Sequence, residues 1–247
     1  MNMQAASAPG FFGKLPGAGD FVRRRLPPDF IDIWDRRFSR IVAESRDLLG
    51  PSWSTLYHAS PVWRFLLAPG VCGQGAWAGV MGPSSDRVGR CFPMVIAVRL
   101  PSGSGAPGVL HDGGRWYAEA ARLLRDAQAD AGFDADSFSD AVAGLVPPVA
   151  PEDPTVPVLP AGLDPAARDY WLPLPTPTAP VLSALWTHLA PDGCGLWWCG
   201  GDDWVSGRLF AGAGLPGAQV YVAFLDTGLD VASPNGARAR RLGASVP

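Results

Sequence analysis

Lys14 is the only lysine among 20 basic side chains. It stands in GFFGKLPGAGD, with Gly17 and Gly19 just behind it. A lysine beside glycines is the composition of a phosphate cradle. A Walker loop needs G-x-x-x-x-G-K-[ST] between a strand and a helix. Here the lysine precedes the glycines, and no serine or threonine follows it to hold magnesium. The dinucleotide fingerprint G-x-G-x-x-G fails as well, because Val22 stands where the third glycine belongs. Gly17 and Gly19 are therefore read as a tight structural turn. Asp20, next to them, can bond its own backbone or pair with Arg23 or Arg24.

Other residues with chemical capacity do not assemble in sequence. Cys194 and Cys199 have no matching second pair, and His58, His111 and His188 lack any metal-ligand spacing. No metal or other cofactor is implied. Ser84, Ser85 and Asp86 are neighbours, and a hydrolase or thiol enzyme would combine Ser84 or Cys72 with His58. No G-x-S-x-G elbow supports that grouping. Asp202 and Asp203 read as solvated turn carboxylates. HDGG at 111–114 is a fragment of a metal-phosphatase motif without the other acidic motifs.

The elements that must position these residues follow from periodicity. The chain has 247 residues, 47% of them hydrophobic, and a formal net charge of −3. That is enough apolar material for one substantial core. The near-balanced charge gives no general attraction to nucleic acid. No apolar run approaches the ~20 residues that span a bilayer. MNMQAASAPG has neither the basic nor the apolar part of a signal peptide, so a cytoplasmic protein with reduced cysteines is expected.

Phe11 to Leu15 reads as a short strand ended by Pro16, Gly17 and Gly19. Pro27 and Pro28 open a helix whose stripe is Phe30, Ile33, Trp34, Phe38, Ile41, Val42 and Leu49, closed by Gly50. A shorter helix fits Pro51 to His58. VWRFLLA (62–68), AWAGVMG (76–82) and CFPMVIAVRL (91–100) read as an antiparallel meander, with Pro93 marking an edge or a bulge. PSGSGAPG (101–108) reads as a flexible connection. WYAEAARLLRDAQADA and SFSDAVAGLV read as helices. The proline-rich segment 147–180 reads as a surface excursion that is neither regular helix nor central strand. Val181 to Leu189 reads as helix, CGLWWCG and VSGRLFAG as a hairpin, and Pro216 to Leu225 as a short helix or strand. This order predicts an α+β fold, a single domain with a mainly antiparallel central sheet and helices packed on it. The domain is expected over 10–228, between a disordered start (1–9) and a flexible tail (229–247).

Two features remain. Trp34, Trp53, Trp63, Arg64 and Trp77 crowd the first hundred residues, and PSSDRVGR brings Asp86, Arg87 and Arg90 together. The tryptophans are core and the loop is a hairpin braced by an Asp–Arg pair, or these residues form a protein-binding surface.

GFFGKLPGAGDFVRRRLPPDF, then SPVWRFLLAPGVCG, then WAGVMGPSSDRVGRCFPM resemble, in that order, the TagF (ImpM) family of type VI secretion. The resemblance spans roughly residues 10 to 100 and extends more weakly to about residue 225 through the GLWW hairpin. It implies a cytoplasmic, non-enzymatic accessory protein. Such a protein represses secretion after translation by binding the forkhead-associated (Fha) scaffold. No nucleic acid, membrane insertion or small-molecule substrate is implied. In some relatives the domain is fused to a serine/threonine phosphatase, whose acidic motifs are missing here, so HDGG is expected to be a helix-start loop. The resemblance assigns no binding residue. The candidates for partner contact are Lys14, Asp20, Arg64, Asp86, Arg87 and Arg90, chosen by residue type within the matching segments. The alternatives are a structural part of the secretion machine and, third, the small hydrolase.

Overall fold

A computed structural model describes residues 7–101, 106–130, 132–147, 169–173, 179–189, 193–200, 207–226, 229–230 and 240–241. Eight strands form one sheet: β1 (Gly10–Lys14), β2 (Phe21–Arg24), β3 (Trp63–Leu67), β4 (Trp77–Gly82), β5 (Met94–Arg99), β6 (Tyr170–Pro173), β7 (Cys194–Cys199) and β8 (Arg208–Ala213). Their order is β2-β1-β5-β4-β3-β7-β8-β6, and every pairing is antiparallel. The fold is α+β, with helices on both faces of the sheet.

The first face is aromatic. Phe65 lies opposite Gly79 on one side and Trp197 on the other, so all three point the same way. Helix α1 (Pro28–Leu49) covers them. Its i, i+4 spacing stacks Phe30 on Trp34 at 5.3 Å and Trp34 on Phe38 at 4.4 Å. Trp34 then meets Phe65 at 5.3 Å and Trp197 at 6.1 Å. The helix begins where sequence places it, with Pro28 in its first turn, and ends at Gly50, whose φ of 54° suits glycine. Helix α2 (Trp53–Ala59) follows a 3-10 turn. Helix α6 (Ala218–Leu225) lays Phe224 on Trp63 at 3.8 Å.

The other face carries α3 (Ala106–Ala129), α4 (Ala135–Ala143) and α5 (Ala179–Leu189). Tyr117 meets Trp198 edge-on at 4.9 Å and donates its hydroxyl to the Phe65 carbonyl. Phe138 of α4 meets Phe11 of β1 at 4.8 Å. Asp134 caps α4 by accepting from the amides of Asp136 and Ser137.

The structure departs from the sequence reading in six places. FVRR forms an edge strand, β2, where only a basic cluster is apparent. β5 begins after Pro93 and lies between β1 and β4, so the third run is an interior strand. The proline can precede the ladder without breaking it. HDGG lies inside α3 rather than in a loop before it, and α3 takes in residues 106–108 of the expected connection. Most of the proline-rich segment 147–180 lies outside the described residues, but Tyr170–Pro173 within it is the edge strand beside β8. Most of the tail 229–247, and residues 1–6 of the start, also lie outside the described residues. Within the tail, β9 (Leu229–Asp230) pairs with β10 (Arg240–Arg241).

Candidate functional site

Two loops meet beyond one end of the sheet: residues 15–20 after β1, and 83–91 between β4 and β5. Lys14, the last residue of β1, is 5% exposed, and Asp86 is 3% exposed. The Lys14 Nζ meets Asp86 Oδ2 at 2.6 Å, and Arg90 Nε meets the same oxygen at 2.6 Å. Asp86 Oδ1 accepts from the amides of Val88 at 3.1 Å and Arg90 at 2.9 Å. One carboxylate thus takes two cations and two amides. Burial alone would push the Asp86 carboxyl up. The Lys14 ammonium, together with the Arg90 amide and guanidinium, outweighs it and holds the group well below its ordinary value.

The backbone closes the same junction. Asp86 N–H donates to Arg90 O and Gly89 N–H to Asp86 O, with Gly89 at φ 82°. Arg87 N–H donates to Ala18 O at 2.9 Å, and Arg90 Nη2 donates to Gly19 O at 2.7 Å. Ser84 Oγ donates to Lys14 O at 2.6 Å. Tyr57 reaches in from α2, donating its hydroxyl to Ser84 O. The glycine turn is closed by Ala18 N–H to Leu15 O. Neither Gly17 nor Gly19 has a positive φ, so what Gly19 supplies is a carbonyl for Arg90.

The six candidate residues therefore separate. Lys14, Asp86 and Arg90 come together. Lys14 and Asp86 are buried against each other and brace the junction from inside. Their charges are paired with each other inside the molecule. Arg87 and Asp20 are exposed on the rim, where Asp20 accepts from the Phe21 amide and so bonds backbone. Arg64 is elsewhere. It alternates with Phe65 onto the α3 face and donates to Gly200 O at 2.8 Å.

The enzyme candidates make other contacts. Ser84 spends its hydroxyl on the Lys14 carbonyl, and Cys72 is fully buried. Burial first, and Asp29 second, push the Cys72 thiol up to about 12, far from a nucleophilic thiolate. His58 faces Cys91 at 3.9 Å and the Ser54 carbonyl at 2.8 Å. Among the described residues no group of three or more His, Cys, Asp or Glu side chains is placed to hold a metal. Among them, too, no helix is long and apolar enough to cross a membrane.

Sequence reasoning missed Tyr57, because the residue it serves lies 27 positions on. It also missed the exposed Phe21 and Val88. Val88 between Arg87 and Gly89 was visible as an apolar loop residue, whereas the outward turn of Phe21 follows only once FVRR is a strand.

The chain is thus an antiparallel sheet layered between helices, with Lys14, Asp86 and Arg90 joined by ion pairs at one end. The matching family is the TagF N-terminal domain, type VI secretion system-associated, over residues 10–145. A solved structure, PA0076 from Pseudomonas aeruginosa PAO1, is similar at 35% identity and a TM-score of 0.68, over 93% of this chain and 99% of that one. The chain belongs to the TagF family and is a type VI secretion-associated protein. No curated protein matched the sequence.

Proposed function

We propose that this protein is a non-enzymatic cytoplasmic repressor of type VI secretion that acts after translation by binding the forkhead-associated scaffold of its own secretion cluster. One observation carries this reading. At the head of the sheet Lys14 and Arg90 are spent on Asp86, and Ser84 on Lys14 O, in bracing two loops. What the junction offers outward is a rim of arginine and apolar side chains, the residue types that anchor protein interfaces. Occupying the scaffold would keep it from the membrane-associated complex.

The test is a pull-down of the purified protein against the forkhead-associated scaffold of the same cluster, paired with deletion of the gene. Saturable binding and increased effector secretion on deletion are expected. Loss of secretion on deletion would instead identify a structural part of the machine. Unchanged secretion would sink the repressor reading.

A further inference from the structure

We infer that the open edge of the sheet beside β2 is a docking surface for an extended acidic segment carrying an apolar side chain. This rests on the reading of the chain as a binding module and specifies the chemistry of what it binds. β2 is the terminal strand, so among the described residues no strand pairs with its outer side. An unpaired edge of this kind is where an added strand can gain main-chain hydrogen bonds. The edge is tied to the rest of the fold at both ends. Its far end is fastened to α4, where Arg24 pairs with Asp136 at 3.2 Å and Arg25 donates to the Ser139 hydroxyl and carbonyl, both at 2.8 Å. Its near end is fastened to the braced loop through Gly19.

The apolar part is Phe21, 41% exposed although its ring stacks on Phe12 at 5.4 Å and meets Phe92 at 4.9 Å. The rest of the Phe12–Phe92 cluster is buried, so Phe21 presents the outer surface of a rigid aromatic stack. Val88, 69% exposed, lies at the tip of the neighbouring loop. Around them the charge is positive in a chain whose formal net charge is −3. Arg23 and Arg87 are exposed and make no ion pair among the described residues. The Arg87 guanidinium lies beside Gly19, two residues from Phe21. Arg23 follows Phe21 by two residues and shares its face of the strand. Lys14 and Arg90 share the single Asp86 carboxylate, and among the described residues of the 15–20 and 83–91 loops Asp20 is the one exposed acidic group. Edge strands are commonly protected by charge, but protection alone does not require an aromatic side chain held outward between two unpaired guanidinia. Carboxylates laid against Arg23 and Arg87, with an apolar side chain on Phe21 and Val88, satisfy both features.

The test uses the full chain and a short fluorescent peptide of glutamates around a central leucine, with two control peptides: serine for the leucine, and lysine for the glutamates. Anisotropy titrations at low salt should show saturable binding of the first peptide and weaker binding of both controls. Reversing both charges (Arg23→Glu with Arg87→Glu) should raise Kd about tenfold or more, at an unchanged melting temperature, because neither guanidinium makes a hydrogen bond that the fold needs. Backbone amide shifts in the wild-type protein require no variant, and they should move at residues 19–24 and 86–90. Equal binding of the acidic peptide and both controls would overturn the proposal, as would unchanged binding by the charge-reversed variant or shifts confined to other residues. The same variant in the scaffold pull-down separates the two readings. If wild type and variant hold the scaffold equally, this surface is wrong and the scaffold reading stands. If wild type binds the acidic peptide at these residues but not the scaffold, the surface stands and the scaffold reading fails.

Discussion

Tyr57 and Ser84 exchange hydrogen bonds in both directions: the tyrosine hydroxyl donates to Ser84 O at 2.8 Å and accepts from Ser84 N–H at 3.0 Å. The ring is completely buried, and burial above all pushes its hydroxyl well above the ordinary tyrosine value, so it stays a neutral donor. This single side chain ties α2 to the start of the 83–91 loop. Tyr57→Phe keeps the ring and its stacking on Trp53 at 4.7 Å. It leaves Ser84 N–H buried without an acceptor, whereas Ser84 O still receives the Phe92 amide. The expected loss is about 1–3 kcal/mol, read from denaturant midpoints at unchanged slope. A loss near zero would show that the loop is held by its ion pairs alone.

Those ion pairs respond to pH with a definite sign. The Asp86 carboxyl is held below the ordinary aspartate value of about 3.8, so the unfolded chain takes up its proton first. The stabilisation is complete above that value and is lost as pH falls beneath it. The difference in melting temperature between wild type and Asp86→Asn should stay constant from about pH 7 to about pH 5 and shrink below about pH 4. A difference that grows on acidification would contradict the assignment.

Within the same junction, side chains of equal charge should differ in consequence. Arg90→Ala removes bonds to Asp86 and to Gly19 O, and Lys14→Met removes a buried ammonium from a buried carboxylate. Both should lower the melting temperature. Asp86→Ala should lower it more than either, since it also strips the amides of Val88 and Arg90 of their acceptor. Arg87→Ala should leave it unchanged, because only the backbone of Arg87 is bonded across the junction. Thermal unfolding of the four variants under one buffer gives the comparison.

The legibility of this architecture in the sequence follows the range of the signals. The α1 stripe is local, since Phe30, Trp34 and Phe38 fall four apart, and so its start at Pro28 and its stop at Gly50 were readable. The apolar runs of β3, β4, β7 and β8 are likewise local. β2 was not, because only Val22 of its four residues is buried and FVRR reads as a charge cluster. Lys14 and Asp86 lie 72 residues apart. The residues near Lys14 argue against phosphate but do not point to a carboxylate 72 positions away. Residue order narrowed the options by excluding the phosphate motifs, but only the antiparallel register brings β1 beside the start of β5 and hence beside the 83–91 loop.

Thiol reactivity follows from burial. Cys72, Cys194 and Cys199 are buried and Cys91 is half-buried. Burial raises the Cys91 thiol too, but less completely enclosed, with its sulfur 3.6 Å from the Gly89 carbonyl. Native protein with an aromatic disulfide reagent at mildly alkaline pH should therefore release one equivalent, with the remainder appearing only on unfolding. Cys91→Ser should abolish the native equivalent. Early reaction of a second thiol would mean that one of the buried three opens locally.

The aromatic face depends on one missing side chain. Gly79 of β4 lies directly across from Phe65 of β3, and the Phe65 ring fills the space above it. A Cβ there would run into that ring and stand 2.7 Å from the Ile96 carbonyl oxygen, which belongs to the neighbouring strand and cannot retreat without breaking the β4–β5 ladder. Gly79→Ala must therefore push Phe65 toward Trp34, which is already stacked between Phe30 and Phe38. Overpacking of this kind costs about 1–3 kcal/mol. Tryptophan fluorescence should report it as well, because Trp34 and Trp197 both contact Phe65. Phe65→Leu combined with Gly79→Ala returns volume to the site and should recover part of the stability lost by Gly79→Ala. A double variant no more stable than Gly79→Ala alone would place the strain at the Ile96 carbonyl rather than at the ring.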